Sequence, residues 1–316
     1  MGMNAVGSVI DLIGNTPLVR LVRVAEGAGA EVYAKLEYLN PTGSIKDRVA
    51  LKTIKGAEED GNLKPGYTIV EASTGNTGTS LSLVGSLKGY KIVIYETTPG
   101  KMGAEKRKLM SNYGAEVRDL TQEDLKALGS EASLPGRRMC LKLERESPRI
   151  WWTRQFSNPH NVEAQNWTGR EILEQLGGRV DGYAAAIGTG GTLMGVAEVL
   201  KEANPATRVV GIQPSGSGRR LTPGVPYPRS EVDGGIISEM LERPGLIDEV
   251  VEVGDDEAVE MAHRLWRTEG LFCGISGGAN VLVALSLARE LGEGKRVVTV
   301  LPDSGDRYMT EERFVT

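Results

Sequence analysis

The stretch that decides the fold runs from Tyr67 to Tyr95 and reads YTIVEASTGNTGTSLSLVGSLKGYKIVIY. It begins and ends with short β-branched runs, Tyr67–Glu71 and Lys91–Tyr95, which are typical of buried strands. Between them, Thr77–Leu87 has the pattern of a helix. A strand, a helix and a second strand in this order predict a βαβ unit with a parallel sheet.

The same alternation extends over most of the chain, so the sequence predicts the α/β class. The first series continues with a helix at Ala104–Tyr113 and a strand at Glu116–Asp119. A second series follows, and two series imply two mostly parallel sheets flanked by helices, and therefore two lobes. The second series has strands predicted at Gly182–Ala186, Arg208–Gln213, Glu249–Val253 and Arg296–Leu301, and helices near Val162–Leu176, Leu193–Asn204, Asp255–Thr268 and Gly278–Leu291.

Two stretches interrupt the alternation. Leu120–Arg149 is the harder one to interpret, with a helix start at Thr121 and a loop signal at Ser133–Gly136. Ser215–Gly235 is rich in Gly, Pro, Ser and Arg and is predicted to be a long loop. Loops of this length are usually functional or mobile.

The boundary between the lobes is expected at the end of the first of these stretches. We expect a smaller N-terminal domain at 38–150, together with 1–11. The larger C-terminal domain is expected at 151–316, with 12–37 adding strands to it. A chain of 316 residues is long enough for two lobes with a cleft.

The composition favours a small-molecule partner. With 37 basic and 42 acidic side chains the net charge is −5, which argues against binding to the phosphate backbone of nucleic acid. No run of about eighteen apolar residues occurs, and residues 1–8 lack a basic region followed by an apolar stretch, so we expect a cytoplasmic protein without membrane segments. Cys140 and Cys273 lie outside any C-x-x-C, and His160 and His263 lack metal-ligand spacing, so neither a disulfide framework nor a metal site is predicted.

Lys46 lies in the run Asn40–Arg48, directly after the strand-like segment Glu31–Glu37. A lysine at a strand-to-helix turn can direct its amine into a cleft, where the amine can bond the aldehyde carbon of a cofactor. Taken alone, a solvated lysine in the first turn of a helix is the simpler interpretation, because most lysines are surface residues. The motifs that follow reverse this preference.

A phosphate site is predicted where the apolar strand Tyr183–Ile187 leads into a turn and a helix. The turn consists of Gly188, Thr189, Gly190, Gly191 and Thr192. Glycines let backbone N–H groups approach an anion, the threonine hydroxyls add donors, and the helix dipole favours negative charge. Because position 193 is leucine and no G-x-x-x-x-G-K-[ST] occurs, the phosphate is expected to belong to something other than a nucleotide. The alternative is a tight turn that needs glycine for a positive φ.

A second anion site is predicted at Ser73–Gly78, which follows a strand and begins another helix. Its backbone N–H groups and hydroxyls suit a carboxylate. The alternative is an ordinary N-capped helix with a glycine turn.

The segment Gly274–Gly278 matches the nucleophile-elbow pattern G-x-S-x-G and raises the rival class of α/β-hydrolases. Such an enzyme needs a histidine after its serine, but His160 and His263 both precede Ser276. Ser276 is therefore interpreted as a hydrogen-bonding residue at a helix start, with a simple helix cap as the alternative.

These motifs together resemble the fold-type II pyridoxal-phosphate enzymes of the cysteine synthase family, in particular the B-type O-acetylserine sulfhydrylases, and the neighbouring cystathionine β-synthases. The resemblance covers nearly the whole chain, with landmarks at Gly14–Leu18, Asn40–Arg48, Ser73–Gly78, Gly188–Thr192, Phe272–Gly278 and Pro302–Tyr308. It implies the two-lobed, tryptophan synthase β-like fold with twisted sheets, a mobile smaller domain, pyridoxal 5'-phosphate as cofactor, and a homodimer.

The resemblance also implies a role for each site residue. Lys46 corresponds to the Schiff-base lysine, Asn76 to the partner of the cofactor's ring oxygen, and Ser276 to the partner of the pyridine nitrogen. The cofactor phosphate is assigned to Gly188, Thr189, Gly190, Gly191 and Thr192. The α-carboxylate of the substrate is assigned to Ser73, Thr74, Gly75, Thr77 and Gln155.

The implied reaction is a β-replacement that produces L-cysteine from an activated serine and sulfide through an aminoacrylate intermediate. The activated serine is O-acetylserine or O-phosphoserine, and Arg219 and Arg220 are candidates for binding the phosphate of the latter. Solvated loop charges are the alternative for these two arginines. Other functions left open are a cystathionine β-synthase-like condensation of serine with homocysteine, a serine/threonine dehydratase, and a non-catalytic phosphometabolite-binding protein.

The chain departs from the family pattern at the carboxylate loop. The family usually has Thr-Ser-Gly-Asn-Thr there, whereas this sequence has Ser73 and Thr74 in exchanged order. Both side chains keep a hydroxyl, so the implied role is retained. The departure affects the expected donor specificity and leaves the expected cofactor unchanged.

Overall fold

A computed structural model describes residues 5–96, 103–128, 134–229, 234–312 and 314–315 of the chain. The chain divides into two compact units, each with its own sheet. The first unit comprises Met1–Ile13, Lys46–Asn161 and Arg229–Gly235, and the second comprises Gly14–Ile45, Val162–Pro228 and Ile236–Thr316.

Strands and helices alternate along the described residues. The strands are β1 (Leu18–Leu21), β2 (Glu31–Leu36), β3 (Thr68–Ala72), β4 (Lys91–Tyr95), β5 (Glu116–Arg118), β6 (Ile150–Trp152), β7 (Gly182–Ala186), β8 (Arg208–Pro214), β9 (Glu249–Val253) and β10 (Arg296–Leu301). The helices are α1 (Lys46–Glu59), α2 (Asn76–Leu87), α3 (Ala104–Asn112), α4 (Gln122–Leu128), α5 (Pro135–Glu146), α6 (Pro159–Gln175), α7 (Gly191–Ala203), α8 (Ile236–Glu242), α9 (Asp255–Glu269) and α10 (Ile275–Leu291). Short 3-10 helices lie at Val9–Leu12, Glu37–Leu39 and Gly305–Tyr308.

The first unit is built on a four-stranded parallel sheet in the order β5-β4-β3-β6. Val70 of β3, Val93 of β4 and Trp152 of β6 are buried in one apolar cluster with Cys140 of α5. Parallel strands end at the same edge of a sheet, and binding groups collect at that edge. The loop Ser73–Gly75 lies at this carboxyl edge, and α2 begins directly after it.

The second unit is built on a six-stranded sheet in the order β1-β2-β10-β7-β8-β9. Its strands are parallel except for β1, which is antiparallel to β2. Tyr183 and Ala184, successive residues of β7, belong to different apolar clusters, so both faces of the sheet are covered. The loop after β7 leads into α7 at the carboxyl edge of this sheet.

The predicted α/β class and the two mostly parallel sheets are confirmed. The loop predicted at Ser133–Gly136 is wrong at Pro135 and Gly136, which begin α5, because proline suits the first helical position. Ser133 lies outside the described residues. β6 has no counterpart among the predicted strands, since three residues are too few for a period-2 pattern.

The division of the chain differs from the expected boundaries in four segments, and the first of them, residues 12–13, lies in the first unit. Residues 38–45 lie in the second unit, where Ile45 N donates to Pro302 O at 2.8 Å. Residues 151–161 lie in the first unit because β6 pairs with β3. Residues 229–235 also belong to the first unit, although 230–233, part of the predicted long loop, lie outside the described residues.

No helix in the described ranges is both long enough and apolar enough to span a membrane.

Candidate functional site

Lys46 is the first residue of α1 in the first unit. Its side chain is only partly exposed, and burial lowers its pKa from 10.5 to about 8. Desolvation disfavours the charged ammonium, so near physiological pH more of this amine is neutral than of an ordinary exposed lysine. A neutral amine is what nucleophilic attack on an aldehyde and proton abstraction both require.

The loop that follows β3 is ordered by the Ser73 side chain. Its Oγ accepts hydrogen bonds from Gly75 N at 3.3 Å and from Gly78 N at 3.1 Å, and its backbone N donates to Tyr95 O at 2.9 Å. Ser73 is buried, whereas Thr74, Gly75 and Asn76 are partly exposed at the N-terminus of α2. Gly75 is the N-cap of α2 and no side-chain cap is formed there, so an ordinary side-chain cap does not explain this loop. The accessible N-terminus of α2 suits an anion, and the carboxylate role stays a prediction.

Gln155 is fixed beside this loop within the first unit. Thr77 Oγ1 donates to Gln155 Oε1 at 2.7 Å, and Gln155 Nε2 donates to Ala72 O at 3.2 Å. Because Ala72 O can only accept, the amide orientation is determined. The second Nε2 hydrogen has no acceptor among the residues that the structure describes, so it is available to a bound carboxylate.

The predicted phosphate turn forms the start of α7 in the second unit. Gly190 has φ of 89°, in the left-handed region, and a Cβ there would lie 3.1 Å from Ile236 Cγ2, so glycine is required. Gly188 is exposed, and nothing lies within 4 Å of where its Cβ would be. Thr189 is buried, with Thr192 only partly exposed in the first turn. A helix N-terminus with such glycines suits an anion, and the phosphate role of this turn stays a prediction.

Ser276 lies in the first turn of α10 in the second unit. It lines a cavity of about 140 Å³ that also contacts Ala186 at the end of β7 and Pro214 at the end of β8. Gly274 is the N-cap of α10 and no side chain caps this helix, so the simple-cap interpretation of Ser276 is wrong. Its hydroxyl has no protein partner among the described residues and is available to a ligand in the cavity.

The glycines around Ser276 are explained by close packing rather than by a nucleophile elbow. A Cβ on Gly274 would lie 2.4 Å from Asp303 Oδ1, and one on Gly277 would lie 2.9 Å from Cys273 Sγ. A Cβ on Gly278 would lie 1.9 Å from Ala258 O of α9. The G-x-S-x-G pattern therefore reflects how α10 is seated and where it places the serine.

Arg219 and Arg220 are both exposed in the loop after β8. Arg219 Nη2 donates to Pro226 O at 2.9 Å, and its guanidinium carbon lies 5.3 Å from the centre of the Tyr227 ring. The guanidinium of Arg219 is therefore engaged within its own loop. Arg220 has no side-chain hydrogen bond to the described residues.

The candidate residues fall into two groups. The first unit contains Lys46, Ser73, Thr74, Gly75, Asn76, Thr77 and Gln155, and the second contains Gly188, Thr189, Gly190, Gly191, Thr192, Ser276, Arg219 and Arg220. Glu71 in β3 and Gln213 in β8 are among the buried polar residues that the sequence predictions do not include. The signal for each was a polar side chain inside an otherwise apolar strand.

The donor set fits the chemical groups of pyridoxal phosphate. Lys46 offers an amine for the aldehyde, the start of α7 offers N–H groups and hydroxyls for the phosphate, and Ser276 offers a hydroxyl beside a cavity. These are groups that the resemblance assigns to the cofactor, and Lys46, Gly188, Thr192 and Ser276 are at least partly exposed.

The chain is similar to known enzymes over nearly its whole length. The model of the family described as pyridoxal-phosphate dependent enzyme matches residues 9–303. A cysteine synthase of Staphylococcus aureus is 42% identical over 314 residues, 98% of this chain and 97% of that protein. A crystal structure of a cysteine synthase from Entamoeba histolytica matches with a TM-score of 0.85 and 31% identity, covering 99% of this chain and 92% of the other. An O-acetylserine dependent cystathionine β-synthase from Helicobacter pylori matches with a TM-score of 0.84 and 31% identity, covering 99% and 100%.

The lowered pKa of Lys46 predicts how the cofactor-free protein takes up pyridoxal phosphate. The rebinding rate is expected to rise with pH and to level off above about 8, because only the neutral amine attacks the aldehyde. Absorbance stopped-flow between about pH 6.5 and 10 measures it. Lys55→Ala, an exposed lysine of the same helix, should leave the profile unchanged. A rate still climbing at about pH 10 would mean that Lys46 titrates like an ordinary lysine.

The same shift has a consequence for stability. Between about 8 and 10.5 the unfolded chain binds the Lys46 proton more readily than the folded chain does. The contribution of this residue to the stability of the cofactor-free protein therefore increases as pH rises through that window.

Proposed function

Because the chain belongs to the pyridoxal-phosphate dependent enzyme family, we propose that it produces L-cysteine by β-replacement from an activated serine and sulfide. The observation that carries the proposal is the identity of 42% to a cysteine synthase across 98% of the chain. At this identity and coverage, the activity of the relative is the best supported one. The same chemistry is supported by the lowered pKa of Lys46, by the glycine turn at the start of α7 and by the cavity beside Ser276.

Lys46 has two tasks in the proposed reaction. Its Nζ would hold the cofactor through the aldehyde carbon in the resting enzyme, and the amine would be free once the substrate amine is bound. Bound pyridoxal phosphate supplies an electron sink for the substrate Cα. The freed amine of Lys46 then removes the Cα proton, which allows the β-substituent to leave, and returns a proton after sulfide has added at Cβ.

Ser276 moderates the electron sink. A hydroxyl at the pyridine nitrogen carries no negative charge, so it does not hold a proton there as an aspartate would. The electron demand on the substrate is therefore moderate, which favours loss of a good leaving group from Cβ over prolonged charge storage. This is the role that a β-replacement needs.

The α-carboxylate of the substrate is oriented by Ser73, Thr74, Gly75, Thr77 and Gln155, while Asn76 contacts the cofactor's ring oxygen. The start of α2 provides N–H groups and a helix dipole, and Gln155 provides the free Nε2 hydrogen. Fixing the carboxylate presents the Cα proton in one direction and excludes water from the reacting carbons.

The test of the proposal is cysteine formation by the purified, cofactor-loaded protein. We expect cysteine from O-acetylserine and sulfide, and from O-phosphoserine and sulfide. Arg220→Ala should lower kcat/KM for O-phosphoserine relative to O-acetylserine by about tenfold, because a guanidinium–phosphate hydrogen bond is charge-assisted. Arg219→Ala is the matched control, since its guanidinium already bonds Pro226 O.

Three outcomes would overturn parts of this proposal. Failure to bind pyridoxal phosphate or to form any β-replacement product would leave a phosphometabolite-binding protein as the better interpretation. An unchanged donor ratio in Arg220→Ala would remove the arginine from donor recognition. Release of pyruvate without cysteine would identify a dehydratase-like elimination.

A second candidate function is β-replacement with homocysteine as the nucleophile. It is favoured by the similarity to the O-acetylserine dependent cystathionine β-synthase, which covers 99% of this chain. Replacing sulfide by homocysteine in the same assay, and measuring cystathionine, separates the two. The homodimer implied by the resemblance and the cytoplasmic location expected from the sequence pattern stay predictions.

A further inference from the structure

Glu71 is a carboxylate at the carboxyl end of β3 that is 0% exposed. It lies two residues before Ser73, at the entrance to the carboxylate loop. Burying a charged carboxylate is costly unless several donors surround it. The hydrogen-bond partners of Glu71 therefore indicate its structural role.

Both oxygens of Glu71 accept hydrogen bonds from the loop region of the first unit. Oε1 accepts from Ala72 N at 2.7 Å and from Trp152 Nε1 at 3.2 Å. Oε2 accepts from Gln155 N at 3.2 Å and from the Thr153 hydroxyl. One side chain thus connects the end of β3 to the segment that carries Gln155.

That segment has no regular secondary structure to hold it. Arg154 adopts φ of 50°, which is uncommon for a residue with a side chain. Thr153 N donates to Val70 O at 3.2 Å, and Asn161 Nδ2 donates to Gln155 O at 2.7 Å. The bond from Gln155 N to Glu71 Oε2 ties the backbone of Gln155 to β3, and the bond from Nε2 to Ala72 O ties its side chain to the same strand.

We infer that Glu71 is a positioning residue for substrate carboxylate binding, acting through Gln155. This inference rests on the proposed function, because Gln155 is proposed to contact the substrate. Two steps connect Glu71 to the loop. Glu71 Oε2 accepts from Gln155 N, and the side-chain amide of Gln155 hydrogen-bonds to Thr77 Oγ1 and to Ala72 O. Glu71 itself touches neither substrate nor cofactor in this assignment.

The substitution Glu71→Gln separates this role from simple stability. The new amide must turn an NH₂ group toward one pair of donors. Ala72 N and Trp152 Nε1 cannot accept, so the oxygen stays on their side and the NH₂ faces Thr153 and Gln155. The Thr153 hydroxyl can reverse and accept, but Gln155 N cannot. Of these four bonds, the variant therefore loses the one to Gln155 N.

The measurement compares two inhibitors that differ only in the carboxylate. L-Alanine and L-alaninamide are tested against O-acetylserine in the cofactor-loaded enzyme, where neither has a leaving group at Cβ. In Glu71→Gln the preference for alanine over alaninamide should fall about tenfold and KM for O-acetylserine should rise similarly, because the partly buried Gln155 N–H has lost its acceptor. We expect kcat and cofactor content to change less than about twofold.

The matched control is Glu96→Gln. Glu96 is also a buried carboxylate of the first unit, and it pairs with Arg107 of α3 at 3.6 Å. This variant should lower thermal stability and keep the alanine preference. If Glu71→Gln is not recovered folded, Glu71→Asp serves, because its shorter side chain cannot reach Gln155 N and should lose the same preference.

The outcomes distinguish this inference from the proposed function. A wild-type protein that neither loads pyridoxal phosphate nor turns over O-acetylserine contradicts the proposed function. A wild-type protein that does both, with an unchanged alanine preference in folded Glu71→Gln or Glu71→Asp, contradicts the positioning role alone. Equal loss of preference in Glu96→Gln would show that any buried charge change disturbs the loop, which also overturns it.

Discussion

Replacing Lys46 by alanine is expected to lower kcat/KM for cysteine formation by about 10⁴-fold or more. The variant loses both the amine that bonds the cofactor and the base that moves the Cα proton, and a positioned base alone contributes about 10²- to 10⁴-fold. Steady-state assays with O-acetylserine and sulfide measure the loss. Far-ultraviolet circular dichroism and thermal unfolding establish that the variant is folded.

The direction of any stability change provides a further check. Burial lowers the pKa of Lys46, so at neutral pH its desolvation works against folding, and removing the amine should not destabilise the cofactor-free protein. Lys55 is an exposed lysine of the same helix, and the Lys55→Ala variant should retain full activity. Activity of Lys46→Ala within about tenfold of wild type would assign the base to another residue.

Replacing Gly278 by alanine is expected to destabilise the protein by at least about 3 kcal/mol. The new Cβ would lie 1.9 Å from Ala258 O and 2.8 Å from Ala262 N, both backbone atoms of α9. Neither atom can move aside as a side chain would, so α9 and α10 must separate. Alanine gains about 1 kcal/mol in helix propensity over glycine, which is too little to offset the clash.

Urea unfolding of the cofactor-free protein measures this effect. Gly7→Ala is the matched control, because nothing lies within 4 Å of its added Cβ and its φ is not positive, so a change below about 0.5 kcal/mol is expected. Pyridoxal phosphate should also bind Gly278→Ala more weakly, since Ser276 lies in the same turn of α10. A free energy of unfolding within about 1 kcal/mol of wild type would mean that α9 and α10 can move apart at little cost.

The strands at the centres of the sheets were predictable because they are buried on both faces and read as continuous apolar runs. Lys91–Tyr95 and Arg296–Leu301 have their predicted bounds for this reason. β6 was not predictable, since its three residues form a strand only because they pair with β3. The start of α10 was placed too late because Gly277 and Gly278 are read as helix breakers, whereas close packing requires them.

The candidate site shows the same limit. Lys46 and the turn before α7 were predictable because glycines and hydroxyl residues between a strand and a helix are a local sequence pattern. Glu71 and Gln213 were missed because their partners are distant in sequence: Glu71 bonds Gln155, and Gln213 bonds Glu252. A single acidic or amide residue within an apolar strand is a signal that a partner exists, but the sequence alone does not identify it.

The position of β10 in the six-stranded sheet sets an order for biosynthesis. β10 pairs with β2 on one side and β7 on the other, so the sheet has a gap at its centre until residues 296–301 have left the ribosome. The strands of the four-stranded sheet, by contrast, all lie between Thr68 and Trp152 and are complete when half of the chain has been translated. A nascent chain stalled before residue 296 therefore exposes the open edges of β2 and β7, which makes this stage the one most in need of protection from aggregation.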